Sequence, residues 1–175
     1  KIKLSKNRKL IEVNGNLEAH EIHNFLIKEK LFFPSFPSYP SVTVGACIAN
    51  CTHGISPRFG VMSDYIQEIK LFNPNFGIKI LTKKKNKKLF NLTIGGMGLT
   101  GVILKAKLKI LKLDSTYIKI SQNRKFNTFI DLYRYLNNNK YAYNQNNLFL
   151  KSDKKEIFNS RVSSGNFKKK KYSIK

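Results

Sequence analysis

The sequence predicts an α+β protein holding part of one domain and the opening of a second. Three observations carry that prediction. Leu104, Ala106, Leu108 and Ile110 alternate with Lys105, Lys107 and Lys109, the period-2 signature of a strand with one wet face. Leu17, Ile22, Phe25 and Leu26 recur at helical spacing, predicting an amphipathic helix over about 17–30. Beyond Asp114 the patterning changes character, which places a domain boundary near 113–116 and divides the chain into 1–114 and 115–175.

The elements follow in order. Ile11-Glu12-Val13 is a short strand closed by the turn pair Asn14-Gly15, and the helix comes next. His20 and His23 lie on that helix; with one further histidine in the chain they lack the partners of a metal site, and none is expected. Residues 31–41, LFFPSFPSYPS, contain three prolines, which forbid a regular helix and suit an extended surface loop. Val42-Thr43-Val44 is read as extended strand entering a tight turn at Gly45, then a short helix over 46–49, then a glycine C-cap at His53-Gly54. Residues 65–72 form a strand with Ile69 and Leu71 on one face, Asn73-Pro74-Asn75-Phe76-Gly77 turns, and 78–81 return as the hairpin partner. Residues 83–88 are a solvated basic connection, and Leu89-Phe90 begins an apolar segment that runs into the glycines of 95–101. In the second part, strands are expected at 117–120, 141–150 and 161–167. A helix is expected at 129–136, with Ile130, Tyr133 and Leu136 on one side.

Of the 175 residues 41% are hydrophobic and 12% aromatic, enough for a core, so disorder throughout is excluded. Lysine and arginine number 33 against 10 acidic residues, a formal charge of +23. Such a balance can serve nucleic acid, an anionic membrane surface or acidic substrates. Here lysine is accompanied by abundant Asn, Ile, Phe and Tyr, as in Asn137-Asn138-Asn139, and the basic residues are scattered rather than gathered with aromatics on one element. That joint bias is the mark of an AT-rich genome, and no nucleic-acid partner is expected. Cys47 and Cys51 are too few for a disulfide framework or a zinc site; in a helix they share one face as small buried thiols. No apolar run approaches the ~20 residues that span a bilayer. The chain starts at Lys1 and ends shortly after Lys168-Lys169-Lys170-Lys171, and is read as an internal piece of a longer protein.

Two glycine-bearing segments are the candidates for chemistry: TVGACIANCTHG from Thr43 to Gly54, and IGGMGLTGVI from Ile94 to Ile103. Glycine lets backbone N–H groups approach a ligand, and successive N–H groups in a turn form an anion-binding concavity. Hydrogen bonds to charged groups are worth ~1.5–3 kcal/mol each, so a few can hold a pyrophosphate. Neither segment fits G-x-G-x-x-G after a strand, nor a phosphate loop ending Gly-Lys-Ser/Thr, which disfavours the doubly wound kind of cofactor site. On residue types alone, tight turns set by packing account for both segments equally well, and His53 beside Gly54 reads more readily as structural than as catalytic.

The run LFFPSFPSYPSVTVGACIANCTHG resembles a stretch of the FAD-linked oxidases of the vanillyl-alcohol-oxidase type, which have the PCMH fold. There a proline-containing loop leads to T-V-G-G-x-I-A and then to H-G. LFNLTIGGMGLTGVILKAKLKI is similar to the closing element of the same fold, L-F-x-x-x-x-G-G-x-G-L-T-G-I-I before a strand. Order and separation agree over roughly residues 8–113, and the likeness is nearest to decaprenylphosphoryl-β-D-ribose 2′-oxidases and to sugar-alcohol and aldonolactone oxidases.

The resemblance implies the later half of a PCMH-type FAD-binding domain, followed by the start of an α+β substrate or cap domain. FAD lies extended between two subdomains. Ser38 stands at a family glycine whose backbone touches the cofactor. Thr43, Val44, Gly45 and Ala46 match the turn at the pyrophosphate and ribityl chain. Asn50, Cys51, Thr52 and His53 match the segment beside the isoalloxazine, with His53 and Gly54 nearest the substrate and His53 the one catalytic candidate. Val102 and Ile103 match the backbone that pairs with adenine. Ala46 replaces the usual second glycine and requires φ < 0, Asn50 and Cys51 are uncommon at their positions, and no cysteine precedes Thr43 to form a cysteinyl flavin link. The implied reaction oxidises an alcohol carbon of a sugar or polyol-like substrate, lipid-linked ones included, by hydride transfer to flavin, with the electron acceptor open. The family's first pyrophosphate loop is expected before Lys1 and its acid–base residues after the chain, so the piece is not expected to turn over alone. Tyr143 and Arg161 are assigned structural roles. A cytoplasmic setting with room for peripheral membrane contact is implied. The rivals are a basic binding module for nucleic acid or anionic lipid, and a non-catalytic relative of the oxidases.

Overall fold

Period-2 patterning builds the main sheet. A computed structural model describes residues 1–113, 115, 118–138, 141, 143–149 and 159–167. The expectations that fall on Asp114, Tyr117, Leu150 and Lys168-Lys169-Lys170-Lys171 lie outside the described residues. The chain divides into two compact units, Lys1–Gly54 with Phe59–Leu113, and Ile55–Arg58 with Asp114–Lys175.

In the first unit β1 (Ile2–Leu4), β2 (Leu10–Asn14), β4 (Ile66–Asn73), β5 (Gly77–Thr82) and β6 (Val102–Lys109) form one antiparallel sheet in the order β1-β2-β6-β4-β5. Ala106 and Leu108 of β6 are buried, as the alternation requires, beside Ile11 and Val13 of β2 and Ile69 and Leu71 of β4. The alternate residues form the wet face, where Lys107 Nζ meets Glu68 Oε1 at 2.9 Å and Lys105 Nζ meets Glu12 Oε1 at 3.5 Å. The lysine comb is therefore a partly ion-paired sheet face.

The dry face is covered by helices. In α1 (Ala19–Lys28), Ile22 and Leu26 are fully buried, and the N–H of Glu18 donates to Glu21 Oε2 at 2.9 Å, satisfying a backbone donor ahead of the helix. Lys30 takes a left-handed φ of 56° just beyond, which ends the helix and turns the chain into the short β3 (Leu31–Phe32). α2 (Val44–Ala49) buries Val44, Cys47 and Ile48, and α4 (Lys87–Thr93) buries Phe90 in the same core. Each fully buried aliphatic side chain contributes roughly 1.5–3 kcal/mol, an upper figure because the unfolded chain already buries some surface. β3 pairs with β7 (Leu111–Lys112) outside the main sheet.

Several local expectations are corrected. Val42-Thr43-Val44 is not a strand leading into a glycine turn: Thr43 is the N-cap of α2, and Gly45 lies inside its first turn. The helix closes at Asn50 rather than on a glycine C-cap at Gly54. Tyr65 ends a one-turn helix, α3 (Met62–Tyr65), instead of starting β4. Leu89 and Phe90 belong to α4.

The second unit contains β8 (Ile118–Phe126), α5 (Phe129–Asn138), β9 (Tyr143–Phe149) and β10 (Asn159–Phe167), with strand order β8-β10-β9, antiparallel throughout. The side of α5 carrying Ile130, Tyr133 and Leu136 is only partly the one that packs, with Leu136 half-buried. Ile130 and Tyr133 are 49% and 52% exposed, while Leu132 is buried and Tyr135 Oη lies 2.9 Å from Ser164 Oγ. Arg161 is exposed in β10 opposite Lys125, and Tyr143 sits in β9 opposite Gly165. Among the described residues no helix is long and apolar enough to cross a membrane.

Candidate functional site

The site is assembled where β2 ends. Gly15 follows that strand and donates its N–H to Leu104 O at 2.9 Å. A Cβ at Gly15 would stand 1.9 Å from Ile103 O, so only glycine lets β2 and β6 approach this closely. Thr43 caps α2 by accepting the Ala46 N–H on Oγ1 at 3.3 Å. The N–H groups of Val44 and Gly45 donate to Leu17 O and Gly15 O at 2.9 and 2.8 Å. The open row of backbone donors expected at 44–46 is thus already used inside the fold. What this segment presents outward is a surface of small residues. Ala46 sits in the helix without a positive φ, so it meets the condition that the missing second glycine imposes.

The end of α2 fixes the second glycine segment. Cys51 N–H donates to Ile48 O and Thr52 N–H to Cys47 O, with Cys51 left-handed at φ 46°, a Schellman cap with cysteine where glycine is usual. The second segment docks on the same helix end: Ile48 O accepts a second bond, from Gly95 N–H at 3.0 Å, and Ala49 O accepts from Met97 N–H at 2.9 Å. Gly98 and Gly101 hold φ of 78° and 135°, turning the chain back into β6.

The two segments consequently meet in one open cleft of about 340 Å³. Thr43, Gly45 and Ala46 form one side, and Gly98, Gly101, Val102 and Ile103 the other. Gly15, Asn16 and Ala49 complete it; Ala49 belongs to the first glycine segment, whereas Gly15 and Asn16 were not read from sequence as part of a site. The pair Asn14-Gly15 carried a turn signal, but nothing local ties that turn to residues so much later in the chain.

The other candidates lie elsewhere. Ser38 is exposed in the proline loop. Residues 50–54 run away from the end of α2: Asn50 Nδ2 donates to Ala46 O at 2.9 Å, and Thr52 Oγ1 donates to Ser35 O at 3.1 Å. Gly54 is packed so tightly that a Cβ would stand 1.9 Å from Pro34 O. Met62 N–H donates to Thr52 O at 2.8 Å, and His53 bridges to Val61 in antiparallel fashion. His53 itself is exposed, with Nδ1 2.9 Å from Gly54 O. Cys47 is buried, which pushes its thiol up from its ordinary value, while a side-chain hydrogen bond with Thr52 opposes the shift. Cys51 lies past the helix and is half-buried, so the two thiols do not share a helix face.

No family model matches the chain. Among curated proteins it is similar to decaprenylphosphoryl-beta-D-ribose oxidase of Mycolicibacterium smegmatis, 27% identical over 111 residues, which is 62% of this chain and 24% of that protein. It is also similar to D-arabinono-1,4-lactone oxidase of Candida glabrata, 25% identical over 58% of this chain and 19% of that protein. D-lactate dehydrogenase [cytochrome], mitochondrial, of Arabidopsis thaliana is 30% identical over 53% of this chain and 17% of that protein. The chain thus spans at most 24% of the length of these relatives. Over about 60% of its length the chain is similar to curated oxidases and dehydrogenases of the FAD-binding PCMH-type architecture, a similarity that implies FAD as the cofactor.

Proposed function

We propose that the chain is the later half of a PCMH-type FAD-binding domain, 1–114, with the opening of a substrate or cap domain, 115–175, from a flavoprotein oxidoreductase. Its substrate is a sugar or polyol-like alcohol, free or lipid-linked, oxidised by hydride transfer to the flavin. The observation that carries this reading is the meeting of both glycine segments in one cleft, although they are far apart in sequence. The change of compact unit between Leu113 and Asp114 supports the division into two domains.

The residues present fit part of an extended dinucleotide. Ligand clefts run from ~300 to ~1,000 Å³, so about 340 Å³ takes a portion of FAD rather than the whole. Gly15, Gly45, Gly98 and Gly101 keep side chains out of that path, and Thr43, Val44 and Ala46 complete the turn along which the pyrophosphate and ribityl chain lie. Val102, 60% exposed, and Ile103 offer their backbone to adenine. Ser38 would touch the cofactor through its main chain, and Asn50, Cys51, Thr52, His53 and Gly54 would run beside the flavin ring. Bound FAD supplies the redox chemistry, while the protein orients it and shields it from water. His53 Nδ1 lies 2.9 Å from Gly54 O, so Nε2 is the ring nitrogen that would meet a substrate.

The test is the absorption spectrum of the full-length protein purified without added cofactor. Flavin bands that are released as FAD on denaturation are expected. A colourless protein that also fails to take up FAD overturns the reading in favour of a non-catalytic relative or a basic binding module.

A further inference from the structure

The two histidines of α1 lie outside the glycine cleft, yet both reach the proline loop. His20 Nδ1 lies 3.3 Å from Pro40 O, but it is shared with Glu18 Oε2 at 3.1 Å. The His20 backbone N–H donates to the same Pro40 O at 3.1 Å, so that end of the loop is held without the ring. His23 differs. Its Nε2 lies 3.2 Å from Phe33 O, and a carbonyl oxygen only accepts, so the contact is a hydrogen bond when Nε2 carries the proton. The half-buried ring also meets Phe36 edge-on, with centroids 5.2 Å apart and planes at 70°. His23 thus holds the buried end of the loop, where Phe33 and Phe36 are 1% and 5% exposed.

The same loop carries the segment 52–54. Thr52 Oγ1 donates to Ser35 O at 3.1 Å, and Gly54 packs so closely that a Cβ there would stand 1.9 Å from Pro34 O. Successive carbonyls therefore serve two elements: Phe33 O meets α1, while Pro34 O and Ser35 O meet 52–54. Pro34 and Pro37 fix their own φ and restrict Phe33 and Phe36 before them. A displacement at Phe33 is accordingly passed on to 34–35 rather than absorbed between them.

We propose that His23 is a positioning residue: by donating to Phe33 O it sets the proline loop, and through Pro34 and Ser35 it sets the segment Thr52–Gly54 that carries His53. What that segment faces rests on the flavin reading, whereas the link from His23 to it stands on the contacts themselves.

Two substitutions in the full-length protein separate donation from packing. His23→Gln puts an amide N–H where Nε2 stood, and His23→Leu keeps apolar contact with Phe36 but has no donor. Hydrogen exchange is read by mass spectrometry in peptides covering 33–41 and 50–54. His23→Leu is expected to speed exchange about fivefold in both peptides, the size set by one hydrogen bond, while His23→Gln stays within about twofold of the parent. Release of FAD on dilution, followed by flavin fluorescence, is expected to keep the same order, about fivefold faster with leucine and parental with glutamine. A leucine variant that exchanges like the parent overturns the proposal. So does a glutamine variant as fast as leucine, acceleration confined to 33–41, or FAD release unchanged while exchange quickens. A protein that holds no flavin overturns the flavin reading instead, and the exchange pattern alone then decides the link from His23 to 52–54.

Discussion

The N–H of Gly45 donates to the carbonyl oxygen of Gly15 at 2.8 Å, tying the first turn of α2 to the end of β2. A Cβ at Gly45 would stand 3.1 Å from that same oxygen and 3.8 Å from Ile103 Cβ, on the wall of the glycine cleft. Gly45→Val in the full-length protein is therefore expected to abolish flavin retention while the far-ultraviolet spectrum stays close to the parent's. If the variant still purifies yellow, this turn does not hold the cofactor.

Gly15→Ala acts on the fold instead. Its methyl group meets backbone, Ile103 O at 1.9 Å, and no flexible side chain can yield. Overpacking of this kind destabilises by about 1–3 kcal/mol. A urea midpoint equal to the parent's is incompatible with the close approach of β2 and β6 described above.

The parts of this fold that could be read from sequence are those whose partner is the core as a whole. β4 and β6 declared themselves because one face is dry, and a dry face imposes period 2 whatever lies behind it, while β5 was legible as the hairpin partner across the turn at 73–77. The start of α2 differs because Gly45 suggested a tight turn, whereas it lies inside the helix without a positive φ and glycine serves close approach to Gly15 instead. The packing side of α5 was only partly legible because Tyr135 is drawn in by Ser164 and Gln122 on distant strands, which local periodicity cannot register. The glycine segments marked the cleft, but Asn16 joined it only through tertiary contact.

His53→Ala separates positioning from cofactor binding. The ring is exposed and its one recorded hydrogen bond is to the neighbouring Gly54 O, so its removal leaves the packing of Gly54 on Pro34 in place. Turnover by the full-length enzyme is expected to fall by about 10²–10⁴-fold, the usual contribution of a positioned acid or base, and by far more than flavin content. Unchanged turnover returns His53 to a structural role.

The wet face of the sheet predicts an alkaline transition. The hydrogen bond from Lys107 to Glu68 raises the lysine pKa, with burial opposing and the charges of Glu68 and Glu12 adding to the rise. A raised lysine pKa gives stability that is fully present below the ordinary value of about 10.4 and is lost as pH climbs through the raised one. Because the pair is partly exposed, its worth is about 0.2–1 kcal/mol. Lys107→Gln is expected to lower the thermal midpoint slightly at neutral pH and to flatten its decline above about pH 10. Parallel curves for variant and parent would remove the pair from any role in stability.

The two cysteines should differ in reactivity although they lie four residues apart. The thiolate is the nucleophile, and burial pushes the Cys47 thiol up from its ordinary value despite the opposing side-chain hydrogen bond with Thr52. Cys47 is also closed to solvent, whereas Cys51 is half-buried at the left-handed end of α2. With a chromogenic disulfide reagent on the native full-length protein, Cys51→Ser is expected to remove one promptly reacting thiol. Cys47→Ser should leave the prompt count unchanged and remove one thiol only from the count after denaturation. A prompt reaction that disappears with Cys47 instead means that α2 opens under native conditions. The contacts from Gly95 to Ile48 and from Met97 to Ala49 would then be too weak to hold the two halves of the cleft together.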